Sequence, residues 1–149
     1  MRVGRAVIEV SFEVWNQRTR HNGLMRCPCL SGDTFETCCA PLLAAEATAP
    51  TAERLMRSRF TAFAVGDAPY LLRSWHPSTR PRDLELDTDI RWTRLDILET
   101  EAGGPFDTSG IVSFEAFYRE GGVQASMKER SRFVREDRMW SYVDGAPVE

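Results

Sequence analysis

Lysine is nearly absent from this chain: 18 of its 19 basic residues are arginine, and Lys128 is the exception. Against 22 acidic residues the balance is 19 − 22 = −3, so no general basic field draws nucleic acid or anionic lipid, and specific DNA binding is not expected. Arginine is the better bidentate partner for carboxylates and phosphates, but a codon-composition bias produces the same skew and is the simpler cause. No apolar run approaches the roughly 18–20 residues that span a bilayer. The opening segment, MRVGRAVIEVSFEVWNQRTRHNGL, starts basic, yet Glu9 and Glu13 interrupt its apolar part, so it fails as a signal peptide. A phosphate loop, a nucleophile elbow and an HExxH pair are all missing. Internal repeats and low-complexity tracts are missing too. Cysteine does not occur outside residues 27–39. Together these absences lead to the expectation of a cytoplasmic protein with reduced thiols and no membrane partner.

The 149 residues, 42% hydrophobic and 28% charged, suit a soluble chain with one real core. In residues 1–24, Ile8, Val10, Phe12 and Val14 alternate with Glu9, Ser11 and Glu13, the period of a half-buried strand. Two readings stand side by side: an added edge strand, or a mis-assigned start with translation beginning at Met25. Residues 41–50 read as a helical turn and a connector. Thr51 caps a helix over 52–65 whose apolar stripe is Leu55, Met56, Phe60 and Phe63, with Arg54, Arg57 and Thr61 off it. Gly66 stops this helix and Asp67 caps a second one, which carries Leu71, Leu72 and Trp75 and ends before Pro77. Residues 78–89 read as a loop. Strands follow at about 90–99, 111–118, 123–134 and 139–143, separated by the glycine-rich stretch 101–110 and by turns at 119–122 and 136–138; Asp144-Gly145 reads as another turn. Helices first and an antiparallel meander after them predict an α+β domain, helices packed on one face of a curved sheet.

The cysteines are spaced Cys27-x-Cys29-x8-Cys38-Cys39. Residues two apart in extended chain point the same way, so Cys27 and Cys29 can face one ion. Pro28 restricts the backbone between them, and Ser31-Gly32 turns the chain back. Four thiolates make a closed structural zinc site with no position left for substrate. Disulfides are disfavoured by the reducing compartment and by strain within the close pairs, while iron also suits tetrahedral sulfur. Zinc is the leading reading.

The stretch CPCLSGDTFETCCAP resembles the SEC-C motif, the zinc module found also at the C-terminus of the secretion ATPase SecA. With LMRSRFTAF (55–63), SWHP (74–77), ERSRFVRE (129–136) and WSYVDG (140–145), the chain resembles the YchJ family of uncharacterised bacterial proteins over about residues 27–145. The resemblance implies that Cys27, Cys29, Cys38 and Cys39 are zinc ligands. It implies a SEC-C-like knuckle at 25–45 and a nuclear-transport-factor-2-like domain at 46–149, a cone of helices closed by a curved sheet. It also favours a natural start near Met25. Two departures stand out: the glycine usual after the second cysteine is Leu30, and the second C-terminal SEC-C motif of some members is missing.

In strand 123–134 the apolar face is Val123, Ala125, Met127, Glu129, Ser131 and Phe133, so Glu129 and Ser131 turn toward the cone interior. A carboxylate there needs a partner; Arg57 or Arg59 from the first helix and His76 from the end of the second are the candidates. The simplest reading is a buried Glu–Arg pair fixing helix to sheet, with His76 on the helix's free carbonyls and Trp75, Trp92, Trp140 and Tyr142 as core. Three functions follow. The leading one is a binding or adaptor module that contacts a protein or ribonucleoprotein through the zinc knuckle, the role the resemblance implies, which leans away from an enzyme without excluding one. The second is a small-molecule enzyme or ligand carrier using the cone, with Glu129, His76 and Arg57 as catalytic candidates. The third is a thiol redox sensor that releases zinc on oxidation. The cone's core is expected to stand without the metal.

Overall fold

The computed structural model describes residues 25–148; the strand expected near residues 8–14 lies outside them. After the cysteine knuckle, α1 (Ala40–Leu43) is a single turn with Pro41 at its start. The long helix α2 (Ala52–Val65) begins where the Thr51 hydroxyl accepts from the Arg54 N–H at 3.1 Å, satisfying one of the free amides of the first turn. It ends at Gly66, whose φ of 82° is left-handed backbone that glycine adopts without strain. One residue on, the Asp67 carboxylate caps α3 (Ala68–Arg73) by accepting from the Tyr70 N–H.

Four strands follow, β1 (Ile90–Ala102), β2 (Ser109–Glu120), β3 (Val123–Glu136) and β4 (Met139–Pro147). They form one antiparallel sheet in the order β1-β2-β3-β4, the α+β meander that the strand and turn signals predict. Register shifts at Trp92/Arg94, Ile97/Glu99 and Arg132/Phe133 add local twist and curl the sheet around α2. The β2–β3 turn is Gly121-Gly122, and the β3–β4 turn places Asp137 and Arg138 at φ 51° and 66°. Both turns thus have the paired positive φ that matches strand twist.

The core lies between α2 and the concave face of the sheet. Phe60, Phe114, Phe133, Leu71 and Val112 are fully buried there, and each large apolar side chain contributes about 1.5–3 kcal/mol. Trp92 packs against Phe60, Phe63 and Tyr118, and the Trp140 indole N–H reaches the Pro50 carbonyl at 3.2 Å.

Four local expectations are corrected. Thr61 is not off the core but fully buried, as are Ser58 and Arg59, because α2 is covered on more than one side. The helix α3 stops at Arg73, so Trp75 is not on it. Instead Trp75 forms a parallel bridge to Tyr142, with the Tyr142 N–H donating to Ser74 O and the His76 N–H donating to Tyr142 O. His76 is therefore past the helix, its backbone drawn into the edge of the sheet. Finally, Asp144-Gly145 is inside β4, where Asp144 takes a two-point ion pair from Arg132 and Gly145 lies opposite Ser131.

The β1–β2 loop anchors the start of α2. The Ala52 N–H donates to Gly103 O, the Gly103 N–H donates to Ser109 O, and a Cβ on Gly110 would lie 2.8 Å from the Gly103 nitrogen. Gly110→Ala is expected to lower stability by about 1–3 kcal/mol through overpacking against backbone, read as a shift of the urea midpoint with unchanged m-value.

Candidate functional site

The knuckle folds by local backbone bonds. The Cys27 N–H donates to Asp33 O, Leu30 N–H to Cys27 O and Phe35 N–H to Met25 O, and Arg26 pairs with Thr34 in a one-bridge hairpin. Tight turns through Thr34 and Phe35 then lead Cys38 and Cys39 into α1. Leu30 is at φ 62°, left-handed backbone that explains why glycine suits the position after the second cysteine and that strains a leucine by about 1–2 kcal/mol.

This folding brings all four cysteines together. Cys27, Cys29, Cys38 and Cys39 are buried, and their sulfurs all lie within 4.8 Å of one another. The Cys29–Cys38 and Cys38–Cys39 sulfur separations are 3.6 and 3.9 Å. A tetrahedron around an ion bonded to sulfur at about 2.3 Å has edges of about 3.8 Å. The donor set fits a soft cation, and the cluster could hold a metal ion. Taken as four thiols, the groups separate into acceptors and donors. Hydrogen bonds from Cys27 and Cys39 hold Cys29 well below the usual thiol range. Cys38 is lowered to about 6, first by Cys39 and then by Ser31. Cys27 is pushed up to about 12, chiefly by its bond to Cys29, and Cys39 is raised by its bonds to Cys27, Cys29 and Cys38. Metal ligation would displace the remaining protons.

The surroundings of the sulfurs come from α2. The Arg54 guanidinium donates to Cys38 Sγ at 3.4 Å and Cys38 O at 2.9 Å, and the Thr61 hydroxyl donates to Cys39 Sγ at 3.3 Å. From the same helix, Arg57 donates to Cys29 O at 2.8 Å while pairing with Glu53. Residues 54, 57 and 61 share one helix face, and that face docks the knuckle. Their cationic and hydroxyl donors would stabilise the sulfurs as ligands from outside. The signal was present in the sequence as a polar stripe at helical spacing opposite the apolar one; its meaning was not. The cysteines and the cone's apolar residues belong to one continuous core.

The other candidates do not assemble as expected. Arg57 belongs to the knuckle interface rather than to a catalytic group around Glu129. His76 hydrogen-bonds Glu136 at 2.5 Å and Ser78 at 2.7 Å, seven residues along β3 from Glu129, so the two form no acid/base pair. Having left α3, His76 does not bind that helix's carbonyls. Glu129 does turn inward, onto a cavity of about 60 Å³ shared with Arg59, Trp75 and Tyr142. Its Oε2 accepts from the Ser131 hydroxyl at 2.6 Å and from Tyr142 at 3.5 Å. Arg59 stands near it without forming the direct ion pair expected.

Residues 51–145 match the family described as "YchJ, middle NTF2-like domain", and residues 26–41 match the SEC-C motif. A UPF0225 protein of Streptomyces coelicolor is 54% identical over 119 residues, 80% of this chain and 93% of that one. A UPF0225 protein of Corynebacterium glutamicum is 52% identical over 80% of this chain and 95% of its own length. Among solved structures, a SEC-C motif containing protein from Rhodopseudomonas palustris superposes with a TM-score of 0.74 at 33% identity, covering 84% of this chain and all of that one. A sec-c motif containing protein from Psychrobacter arcticus, 21% identical with a TM-score of 0.65, shares the fold over 83% of this chain and 82% of its own.

Two substitutions test the site. Leu30→Gly is expected to raise stability by about 0.5–1 kcal/mol by relieving the left-handed backbone, measured by thermal or urea unfolding. Arg54→Met is expected to cost about 1.5–3 kcal/mol for its lost charged hydrogen bonds and to weaken metal affinity about 10–100-fold, measured by chelator competition.

Proposed function

We propose, since the chain belongs to the YchJ family of proteins with an NTF2-like domain and a SEC-C motif, that it is a zinc-stabilised binding module rather than an enzyme. Cys27, Cys29, Cys38 and Cys39 would hold one structural zinc, and the outer surface of the knuckle would contact a protein or ribonucleoprotein partner in the cytoplasm. The observation that carries this reading is the closed donor set: four buried sulfurs, mutually within 4.8 Å, take every position of a tetrahedral ion and leave none for substrate. The bound ion would supply cross-linking of the two arms of the knuckle, not chemistry. Arg54 and Arg57 would balance the charge of the thiolates and hold the knuckle on α2. Met25 and Leu30, 38% and 49% exposed, give the outer surface apolar contact points beside polar groups, which suits a partner protein. The redox-sensor reading is weaker, because sulfurs this buried are poorly reached by oxidant.

Metal analysis of the purified protein tests the site. One zinc per chain is expected, and Cys29→Ser or Cys38→Ser should lose it. Removal by chelator should lower the thermal transition of the whole domain, since structural zinc contributes roughly 10–16 kcal/mol of apparent binding energy in small zinc peptides. Stoichiometric zinc in either single mutant at unchanged stability would sink the assignment, and bound iron in place of zinc would correct it. For the partner, the wild type should recover a specific protein or ribonucleoprotein that the cysteine variants do not. Identical recoveries would count against the knuckle as the contact surface.

A further inference from the structure

The cavity between α2 and the sheet carries two opposite charges that do not meet. Arg59 is fully buried, and burial pulls its pKa down to about 10, so it stays charged at neutral pH. One of its terminal nitrogens serves Leu71 O at 2.8 Å and Ser74 Oγ at 2.7 Å. Its plane lies against Trp75 and Tyr142, at 5.0 and 4.5 Å from the ring centres. A guanidinium has five N–H donors, and among the described residues no carboxylate takes the others in an ion pair. The Trp75 indole N–H is the one buried side-chain polar atom without a partner among the described residues. Arg59 nitrogens that reach the cavity are therefore free to meet a ligand or water there.

Across the cavity is Glu129, close enough to act on Arg59 through its field. Its orientation is built in. Gly145 lies beneath it, and a Cβ at that position would run into the Glu129 side chain, 2.7 Å from Cγ and 2.5 Å from Oε2. Ser131 and Tyr142 hold Oε2, leaving Oε1 without a protein partner among the described residues. The remaining walls, Phe63 and Phe114 among them, are apolar. Several lining residues are half-buried rather than buried, which gives the cavity a mouth.

We infer that this cavity binds a small zwitterion, an α-amino acid of the size of glycine or alanine, its carboxylate on Arg59 and its ammonium on Glu129. A simple anion would satisfy Arg59 but set a second negative charge beside Glu129, and a simple cation would do the reverse at Arg59. A zwitterion answers both, and the apolar walls strengthen both contacts. Size sets the limit: about 60 Å³ corresponds to roughly four to six water-sized positions, enough for a short amino acid and too little for a branched one. The site is independent of the cysteine cluster and of the adaptor reading.

The test is calorimetric or NMR titration of the full-length, metal-loaded chain with glycine, alanine, leucine, acetate and methylammonium. Glycine or alanine should saturate, with acetate, methylammonium and leucine weaker by about tenfold or more. Glu129→Gln keeps the shape and the Ser131 bond, so it should retain its melting temperature and metal while its glycine affinity falls to that of acetate. Failure of both glycine and alanine to saturate would leave the cavity to water and overturn the proposal. So would acetate binding as tightly as glycine, or a Glu129→Gln protein that binds glycine unchanged.

Discussion

The burial of α2 on two sides is the constraint on which the rest of the molecule depends. One side sends Leu55, Met56 and Phe60 into the core. Another sends Arg54, Arg57 and Thr61 to the cysteine knuckle. A helix capped at Thr51, stopped at Gly66 and fastened through Ala52 to the Gly103 carbonyl has little freedom to shift toward either. The knuckle is thereby part of the domain's interior rather than an appendage, and its thiols are buried by the same helix that closes the cavity.

This arrangement separates two kinds of polar chemistry along fourteen residues of helix. Toward the knuckle, arginine and hydroxyl donors meet sulfur and backbone carbonyls, an environment suited to holding thiolates. Toward the sheet, a single arginine enters an apolar space between two aromatic rings. Arg57 and Arg59 are two positions apart, so they diverge around the helix. They cannot serve one site.

Much of this was legible in the sequence. Caps and stops carry strong local signals, so Thr51, Gly66 and Asp67 marked the helices well. Alternation set the inward face of 111–118 and of the far half of 123–134, where Ser131 and Phe133 are buried. Val123 at the near end is 66% exposed because that end of the strand runs past the core. The cysteine spacing led to the cluster because short-range backbone geometry decides it. What was not legible depends on partners distant in the chain. Thr61 reads as a surface residue until a sulfur from residue 39 is laid on it. His76 and Trp75 look helical until β4 pulls residues 74–76 to its edge. Asp144-Gly145 has turn chemistry, yet pairing with β3 and the Arg132 ion pair hold it extended. Periodicity also placed Glu129 correctly while its partner was misjudged, since no pattern on one strand says which of two nearby arginines shares its space.

Gly145 has a consequence for how such a chain can change over evolutionary time. The glycine is there to make room, not to bend the backbone, because the Glu129 side chain occupies the space a Cβ would need. A larger residue at 145 would push the Glu129 side chain out of the place it now occupies. The two positions, sixteen apart in sequence and on neighbouring strands, are thereby coupled, so that a change at 145 acts first on the carboxylate at 129.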